Sequence, residues 1–379
     1  MNRRYIDIFF LRPDAFSVWD YEEVRKSLSW YRRVMTNEKP AKYRVVKRIE
    51  VRRNPYEIDD IEELWNLHRD AEEEFRSLMR NIVNDQVETN DITRIEPPPY
   101  SFLDVKIALA YKLMVECKLC ERKCGVKRFE GMKGVCLMSN KCIVHSYFHH
   151  MGEEAPLVPS GTIFYGGCNF KCVYCQNYDI SQVYPENGEI VDPVELANIQ
   201  KELRLTGARN INHVGGDPTP HLYFILCSFK YLDINTPQLW NSNMYLTMES
   251  MKLLVDVIDI WLPDLKYGND ECAYRLSNIR NYWSIVTRNI KYAYENGDMI
   301  IRHLVLPNHI DCCTKPVLKW IAENTPKALV NVMEQYRPEH LVVKYPDKFR
   351  DINRRLRREE ILEAYSYAES LGLIYKPVS

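Results

Sequence analysis

The sequence predicts an α/β protein whose core is an open, partial (β/α)6 barrel. Three observations support this fold class. From about residue 160 onward, short apolar segments alternate with segments at helical spacing, as in a parallel sheet covered by helices. A long amphipathic helix precedes this region, and a cysteine-rich stretch lies between the two. The number of repeated units, about six, is smaller than the eight that close a complete barrel.

Three regions follow from this pattern. Residues 1–100 are predicted to form a mainly helical N-terminal extension, because apolar residues recur at helical spacing between positions 61 and 82, and "EPPPYS" at 96–101 then marks a boundary. Residues 101–158 form a cysteine-rich segment that is predicted to bind metal. Residues 159–379 form the partial barrel and a C-terminal helix. The apolar positions of the long helix are Ile61, Leu64, Leu67, Phe75, Leu78 and Ile82.

The elements of the barrel can be placed in order along the chain. The predicted strands are the short apolar runs "TIFYGG", "NINHVGG", "QLWNSN", "IDIWLPDLK", "MIIRHLVLP" and "LVNVMEQY". The predicted helices between and after them are "DPVELANIQKEL", "MESMKLLVDV", "TKPVLKWIAEN" and "REEILEAYSYAESL". In a sheet of this type, the functional residues are expected at the carboxyl ends of the strands.

The composition excludes several classes of protein. The chain is 46% hydrophobic and 27% charged, as in a globular protein, and its formal net charge is −1. This balance gives no bulk attraction to nucleic acids or anionic lipids. No apolar run reaches membrane-spanning length, and the opening "MNRRYIDIFFLRPD" lacks the features of a secretory signal. We therefore expect a cytoplasmic protein with no nucleic-acid or membrane partner.

The twelve cysteines are concentrated in one part of the chain. Seven fall between positions 117 and 172, and Cys175 follows directly. In a reducing compartment, clustered cysteines more often bind metals or iron–sulfur clusters than form disulfides. The sequence therefore predicts metal centres in this region.

The segment "GGCNFKCVYCQNYD" at positions 166–179 contains Cys168, Cys172 and Cys175 directly after a predicted strand. A structural zinc site normally uses four protein ligands. Three thiolates can instead hold a [4Fe–4S] cluster and leave one iron free to bind another molecule. The preceding glycines allow the backbone to approach such a cluster closely. The alternative is a zinc site that takes a fourth ligand from elsewhere.

"CNFKCVYC" resembles the three-cysteine signature of the radical S-adenosylmethionine (radical SAM) enzymes, including the aromatic Tyr174 before the last cysteine. The resemblance implies that the open iron chelates the amino and carboxylate groups of S-adenosylmethionine (SAM). One-electron reduction then cleaves the sulfonium and produces a 5′-deoxyadenosyl radical. The resemblance covers roughly residues 110–375.

A second motif, "HVGGDPTPH", resembles the Gly-Gly-Glu-Pro segment of the same family, whose backbone contacts the methionine amine. Asp217 replaces the commoner glutamate. "WNSNMY", "LPDLKYG" and "IRHLVLP" resemble strand ends of the pyruvate formate-lyase activating-enzyme branch, which implies that Asp264 and Lys266 are catalytic residues facing the substrate. The alternative for each polar residue is an ordinary ion pair at the barrel rim. The implied cofactor-binding residues are Tyr174, Gly215, Gly216, Asp217, Asn243, Arg302 and His303.

A second set of cysteines precedes the three-cysteine loop. The spacing suits a compact four-thiolate site holding one zinc or iron ion, although a second [4Fe–4S] cluster is the alternative. Cys142, close behind, lies outside the set, and three histidines of "VHSYFHHMGEE" are expected to pack or to form hydrogen bonds. Cys312 and Cys313 are interpreted as packing residues, because vicinal cysteines rarely bind one metal, and His309 is not counted as a ligand. The four predicted ligands are Cys117, Cys120, Cys124 and Cys136.

These features predict an enzyme that generates a radical on a residue of a protein or peptide substrate, with a ferredoxin or flavodoxin as electron donor. The resemblance to radical SAM methylases, for example those that modify methyl-coenzyme M reductase, implies cobalamin-dependent C-methylation as the predicted reaction, although the usual cobalamin motif Asp-x-His-x-x-Gly is absent. The aromatic-rich chain and its N-terminal extension could form the cobalamin pocket, or the extension could serve as a lid. The alternative is an activase of a glycyl-radical enzyme. A non-catalytic iron–sulfur protein is the third hypothesis, and the second motif argues against it.

Overall fold

One eight-stranded sheet forms the centre of the computed structural model, which describes residues 11–87, 92 and 94–379. The sequence-based expectation about a secretory signal therefore falls mostly outside the described residues. The strands are β1 Ile143–His150, β2 Ser160–Tyr165, β3 Glu189–Ile190, β4 Asn210–Gly215, β5 Gln238–Ser242, β6 Ile260–Pro263, β7 Asp298–Leu304 and β8 Leu329–Met333.

The strand order is β3-β1-β2-β4-β5-β6-β7-β8, and the strands from β2 to β8 in this order are parallel. These parallel strands are the six predicted ones, and the predicted partial (β/α)6 barrel is confirmed. Their residues are almost entirely buried, as expected for a parallel sheet covered on both faces. β1 and β3 add antiparallel strands beyond β2. They were not predicted, because "IVHSYFHH" is too polar to form an apolar run.

The helices surround the sheet, and the predicted ones are all present. The helix Ile61–Val83 begins where the Asp60 carboxylate accepts a hydrogen bond from the backbone of Glu62 at 2.9 Å. No described helix has both the length and the apolar character needed to cross a membrane. The α-helices are Asp14–Ser17, Glu22–Ser27, Ser29–Met35, Lys42–Val46, Ile61–Val83, Phe102–Val115, Pro193–Leu205, Leu222–Ser228, Met248–Leu254, Asp270–Ser277, Tyr282–Tyr294, Lys315–Asn324, Leu341–Lys344 and Arg358–Ser370.

The described part of the N-terminal region is mainly helical, as predicted, and its first described helices fill the amino end of the barrel. They contribute four apolar side chains to a buried cluster that also contains one or two residues from each of β5 to β8, together with Ala155, Leu157 and Val378. Burial of this apolar surface stabilises the fold and closes that end of the barrel to water. The four side chains are Val18, Val24, Leu28 and Tyr31, and they pack on Leu239, Ile260, Leu262, Ile300 and Leu329.

Two buried aspartates hold the same helices by hydrogen bonds. Asp259, which precedes β6, accepts the indole N–H of Trp30 at 2.8 Å and the backbone N–H of Lys42 at 3.1 Å. Asp298, the first residue of β7, accepts the backbone N–H of Tyr31 at 2.7 Å, and burial raises the pKa of its carboxyl to about 7. The amino end of the barrel is therefore occupied by structural contacts, and the opposite end remains for a functional site.

A buried ion pair joins the long N-terminal helix to the barrel. Nζ of Lys106 lies 2.7 Å from Oδ2 of Asp256 and 3.0 Å from Nε2 of His68, and all three side chains are almost fully buried. Lys106 belongs to the helix Phe102–Val115, which was not predicted because it is apolar on nearly all sides. Loss of one partner would leave a buried charge without compensation.

We therefore expect Asp256→Ala to lower the free energy of unfolding by about 3–5 kcal/mol, because it leaves the Lys106 ammonium buried in the core without its carboxylate partner. Urea titration followed by circular dichroism would measure the change. The matched control is Asp233→Ala, which removes a surface partner of Lys201 and should leave the unfolding curve in place. Equal effects of the two substitutions would contradict the structural role given to this pair.

Candidate active site at the carboxyl ends of the strands

The three-cysteine loop begins where β2 ends at Tyr165. Gly167 has a φ of +75°, and a Cβ atom there would lie 2.5 Å from the carbonyl oxygen of Cys136. A Cβ atom on Gly166 would lie 2.0 Å from the carbonyl oxygen of Pro185. Only glycine fits both positions, because no side chain can occupy space already taken by backbone atoms. The pair of glycines places Cys168 directly above the strand end.

Cys168 is buried among hydrogen-bond donors. Its sulfur accepts the backbone N–H of Phe170 at 3.3 Å and lies 3.7 Å from Nδ2 of Asn243, which also donates to Oδ1 of Asn169 at 2.7 Å. Burial raises the pKa of the Cys168 thiol well above its ordinary value. A thiolate at this position therefore needs a bound cation to stabilise its charge.

Cys172 and Cys175 stand at the outer part of the loop and are only partly buried. The hydroxyl of Ser277 donates to the sulfur of Cys172 at 2.9 Å, and it lies 2.5 Å from the hydroxyl of Tyr267. The Tyr267 hydroxyl in turn lies 2.7 Å from that of Tyr174. Tyr174, a predicted cofactor-binding residue, is therefore the end of a hydrogen-bonded chain that reaches a predicted ligand.

The three thiols of this loop do not converge on one point. Among the described residues, one group of three or more potential ligands has all its ligand atoms within 4.8 Å of one another, and it contains none of the three. A single zinc ion draws its ligands close together, whereas a multi-iron cluster binds thiolates that stand farther apart. The spacing of the loop therefore fits a cluster better than a single ion.

The end of β4 packs directly against this loop. The backbone N–H of Gly216 donates to the carbonyl of Tyr165 at 2.8 Å, and a Cβ atom on Gly216 would lie 2.0 Å from the carbonyl oxygen of Gly167. Gly215 has a φ of +114°, a conformation that residues with a side chain rarely adopt. The two predicted motifs thus touch each other through their backbones.

Asp217, the acid that replaces glutamate in the second motif, has both carboxylate oxygens in use. It accepts the backbone N–H of Thr219 at 2.9 Å and that of Asn243 at 3.1 Å. Burial raises the pKa of this carboxyl to about 6. Asp217 therefore ties the end of β4 to the end of β5, and its predicted contact with a cofactor stays a prediction.

Three buried amide atoms near the motifs lack a partner within the described part of the chain. They are Nδ2 of Asn169 in the loop, Oδ1 of Asn212 on β4 and Nδ2 of Asn241 on β5. Unpaired buried polar atoms are costly and usually mark a bound group or water. Together with the three thiols, they fit a cluster and a polar ligand such as SAM at this end of the barrel.

Arg302 on β7 is enclosed by two carboxylates that the sequence interpretation missed. Its guanidinium donates to both oxygens of Glu154 at 2.7 Å and also to Glu153. Burial opposes its charge, but Glu153 and Glu154 raise the pKa of Arg302 well above its usual value. Asn331 on β8 donates to Glu154 at 2.7 Å. The available signal was the acidic pair in "MGEEAP", shortly before a predicted strand.

The predicted catalytic pair lies beside this arginine. The ammonium of Lys266 is 2.7 Å from Oδ2 of Asp264. The backbone N–H of Leu265 donates to the carbonyl of Arg302 at 2.9 Å, which places the pair at the rim next to β7. Burial works against the charge of Lys266, but Asp264 raises its pKa above the usual value. A catalytic role of this ion pair stays a prediction.

His303 has a different environment from Arg302. Nδ1 lies 2.8 Å from the carbonyl of Leu265 and Nε2 lies 3.0 Å from the hydroxyl of Thr314. Burial lowers its pKa to about 4, so the ring is neutral at ordinary pH. Both nitrogens are engaged with protein groups, so its predicted contact with a cofactor has no support from these hydrogen bonds.

The segment with Cys117, Cys120, Cys124 and Cys136 adjoins the three-cysteine loop, because Cys136 contributes the carbonyl that Gly167 packs against. A Cβ atom on Gly134 would lie 3.1 Å from the sulfur of Cys124 and 3.5 Å from that of Cys136. The four thiols are not all within 4.8 Å of one another. Whether the site holds one ion or an auxiliary cluster stays a prediction.

The three histidines after this segment form hydrogen bonds, as expected. Nε2 of His145 lies 3.1 Å from the carbonyl of Pro185, and Nε2 of His149 lies 3.1 Å from that of Leu203. His150 accepts the backbone N–H of Gly152 through Nδ1 at 3.1 Å.

The interpretation of Cys312 and Cys313 as packing residues agrees with the burial of Cys313, but Cys312 is exposed and does not fit it. Both cysteines converge with Cys272 and His309 in the group whose ligand atoms lie within 4.8 Å. The sequence interpretation considered only the vicinal pair. It missed the convergence because Cys272 is distant in sequence and belongs to another helix.

Comparisons with known proteins agree with this site. Residues 162–321 match the family model described as "Radical SAM superfamily". The chain is 44% identical over 355 residues to the uncharacterized protein MJ0674 of Methanocaldococcus jannaschii, which covers 92% of this chain and 99% of that protein. It is 26% identical over 220 residues to the uncharacterized protein MJ0808 of the same organism, which covers 52% of this chain and 62% of that one.

Solved structures with detectable similarity include SuiB of Streptococcus suis bound to its precursor peptide SuiA. This match has a TM-score of 0.40 and 15% identity and covers 55% of this chain and 46% of that one. Another is TYW1 with a lysine-pyruvate adduct, with a TM-score of 0.37 and 13% identity, covering 55% and 72% of the two chains. The matched family model spans the three-cysteine loop and the glycine motif of β4, and this chain is therefore an enzyme of the radical SAM superfamily.

Proposed function

We propose that this radical SAM enzyme abstracts a hydrogen atom from a residue of a polypeptide. The observation that carries the proposal is a polar groove at the open side of the barrel, connected to the three-cysteine loop by a series of charged side chains. The [4Fe–4S] cluster and SAM that the family implies supply, when bound, a 5′-deoxyadenosyl radical. The residues of the chain hold these groups, exclude water and orient the substrate.

The groove lies between the segment that follows β1 and the edge strand β8. Its volume is about 340 Å³. An extended polypeptide presents a row of backbone N–H groups, for which the exposed carboxylates of Asp14 and Glu334 are suitable acceptors, whereas Glu153 and Glu154 are already paired with Arg302. The groove contains no glycine-rich phosphate loop. The polar residues that line it include Arg12, Asp14, Glu153, Glu154, Asn331 and Glu334.

Charged groups lead from this groove to the cluster loop. Glu154 binds Arg302, and the backbone of Arg302 pairs with that of Asp264, which holds Lys266. Burial raises the pKa of Cys172 to about 11, and the nearby ammonium of Lys266 acts in the opposite direction. A substrate in the groove would therefore contact the first member of a chain of charged residues, the last of which, Lys266, lies near the predicted cluster ligand Cys172.

The roles of the motif residues follow from their contacts. Cys168, Cys172 and Cys175 would hold the cluster, and hydrogen bonds to their sulfurs tune such a centre. Gly215 and Gly216 let the end of β4 pack directly on the cluster loop, which would place the backbone that follows them beside a SAM methionine bound to the cluster. The partial exposure of the outer two cysteines offers a short path for an electron from a ferredoxin or flavodoxin.

The position of the N-terminal extension bears on the choice between methylation and hydrogen abstraction alone. Cobalamin-dependent methylation requires a cobalamin pocket beside the cluster. The hydrogen bonds of Trp30, Tyr31 and Lys42 fix the helices Ser29–Met35 and Lys42–Val46 at the amino ends of the strands, on the opposite side. These two helices therefore do not supply that pocket. Abstraction without a second cofactor, as in a glycyl-radical activase, is therefore the reaction that the geometry supports better.

We expect the triple substitution of Cys168, Cys172 and Cys175 by alanine to abolish the reductive cleavage of SAM, because no thiolate remains to hold the cluster. Chromatography of 5′-deoxyadenosine released under dithionite measures the effect. Metal at the other cysteine sites should be retained. The control is Cys227→Ala in the helix Leu222–Ser228, which should cleave SAM normally. Release of 5′-deoxyadenosine by the triple variant would show that the assignment is wrong.

A polypeptide substrate should be detectable in fractionated extract of the source organism. We expect the macromolecular fraction to stimulate SAM cleavage and the dialysable fraction to have no effect, because the groove suits an extended chain. Protease treatment of the macromolecular fraction should remove the stimulation, and heat-inactivated protease serves as the control. Stimulation by the dialysable fraction would instead identify a small-molecule substrate.

The absorption spectrum of anaerobic protein separates the two radical reactions. After incubation with hydroxocobalamin and desalting, we expect no cobalamin bands, because the helices Ser29–Met35 and Lys42–Val46 of the extension are held at the amino ends of the strands, away from the cluster loop. The reconstituted cluster itself should be unaffected and provides the internal control through its own absorbance. Retained cobalamin would restore methylation as the preferred reaction.

A further inference from the structure

We propose that Cys272, His309, Cys312 and Cys313 bind one zinc ion. This site is separate from the three-cysteine loop and from the four-cysteine segment, and it does not depend on which radical reaction the enzyme performs. The four ligand atoms all lie within 4.8 Å of one another, and no other set of three or more among the described residues does so.

The separations of the four atoms match a tetrahedral zinc site. The sulfur of Cys312 lies 3.9 Å from that of Cys272 and 3.9 Å from that of Cys313. Nδ1 of His309 lies 3.5, 3.2 and 3.8 Å from the sulfurs of Cys272, Cys312 and Cys313. Zinc bonds of about 2.3 Å to sulfur and 2.0–2.1 Å to nitrogen place tetrahedral ligand atoms about 3.8 Å and about 3.6 Å apart, respectively.

The backbone around the site is arranged for close approach. Cys312 and Cys313 lie in the π-helical turn Ile310–Thr314, and His309 is the residue directly before it. Turns of this type often occur at functional sites. A Cβ atom on Gly268 would lie 2.7 Å from the carbonyl oxygen of Cys312. Nδ2 of Asn269 donates to the same carbonyl at 2.7 Å. Oδ1 of Asn269 caps the helix that carries Cys272 and accepts the backbone N–H of Cys272 at 2.8 Å. These contacts bring two distant segments together.

The outer nitrogen of His309 has the partner that a metal-bound histidine requires. Nε2 lies 3.2 Å from Oδ2 of Asp351 and 3.1 Å from Nη2 of Arg275, which forms a salt bridge with the same carboxylate. Arg275 can only donate, so a metal on Nδ1 requires that Nε2 carries its proton toward Asp351 and not toward Arg275. In that tautomer Nδ1 is unprotonated and directed at the three sulfurs. Metal-bound histidines almost always donate their second N–H to such a carboxylate.

Zinc is the metal that this ligand set suits best. Three thiolates and one imidazole in tetrahedral positions form a closed structural site with no vacancy for a substrate. Cysteines that only pack against one another need no imidazole among them, so the presence of His309 in the group favours metal binding. The sulfurs at 3.9 Å are also much farther apart than the about 2.05 Å of a disulfide.

The position of the site indicates what the zinc would stabilise. Cys272 lies on the helix Asp270–Ser277, and the last residue of that helix donates to the sulfur of Cys172. The backbone N–H of Val173 in the three-cysteine loop also donates a hydrogen bond to the carbonyl of Leu276 at 2.9 Å. A zinc ion would therefore fix this supporting helix against the turn after β7. The radical cluster would gain a rigid neighbour from a metal that takes no part in the chemistry.

The test is elemental analysis of anaerobically purified full-length protein and single variants. Cys312→Ser and His309→Ala should each lose about one equivalent of zinc while the iron content stays constant. Cys312 is exposed, so this variant should fold even if a buried ligand cannot be replaced. Asp351→Asn keeps all four ligands and should lower the zinc affinity by about 10–100-fold in competition with a chelator.

Two control variants separate this site from the others. Cys227→Ser alters a buried cysteine outside all three cysteine sites, so this variant should retain all its zinc. Cys120→Ser removes a predicted ligand of the four-cysteine segment, and the metal that it loses belongs to that segment. Unchanged zinc in Cys312→Ser and His309→Ala would overturn the proposal. Loss of iron in place of zinc, or a disulfide between Cys272 and Cys312 in the anaerobic wild-type protein, would overturn it equally.

Discussion

The close contact between the backbones of Gly216 and Gly167 is the constraint on which the site depends. A single added Cβ atom would stand 2.0 Å from a carbonyl oxygen, so the ends of β2 and β4 can approach only without side chains. This contact places the three-cysteine loop directly against the end of β4. Asp217 extends the same link to β5 by accepting the N–H of Asn243. The side chain of Asn243 then returns to the loop and approaches the sulfur of Cys168. Ligands and their neighbours are thus positioned by one connected set of strand ends.

A second set of contacts bridges the open side of the barrel. Because the sheet does not close, β8 does not pair with β2, and a charged cluster occupies the gap between them. Glu153 and Glu154 approach from the segment after β1, and Arg302 and Asn331 approach from the two last strands. Buried charges of this kind are stable only when paired and hydrogen-bonded. These paired charges therefore join the two sides of the open barrel where no strand pairing can do so.

Sequence patterns were sufficient for the parallel strands and for the three-cysteine loop, because both are local. An apolar run predicts a buried strand, and a short spacing of thiols predicts a shared centre. The same reasoning failed for two kinds of feature: elements without the expected apolar periodicity, and contacts between residues that are distant in sequence. The helix Phe102–Val115 lacks a polar face, and the polar strand β1 lacks an apolar run. The pairing of Arg302 with Glu154 and the approach of Cys272 to Cys312 depend on tertiary contacts between separate β-α units. Predicted roles for Asp264 and Lys266 rest on resemblance, since their ion pair alone could serve structure or catalysis.

The helices that fill the amino end of the barrel make the folding unit larger than the segment that defines the family. The matched residues, 162–321, contain the cysteine loop and most of the sheet, yet the inner faces of β5 to β8 are covered by Val18, Val24 and Leu28. A fragment trimmed to the matched residues would expose that apolar interior to water and leave Asp259 without its indole partner. Expression of the catalytic segment alone should therefore give aggregated protein. The boundary of this enzyme is set by what closes its barrel, not by where its signature begins.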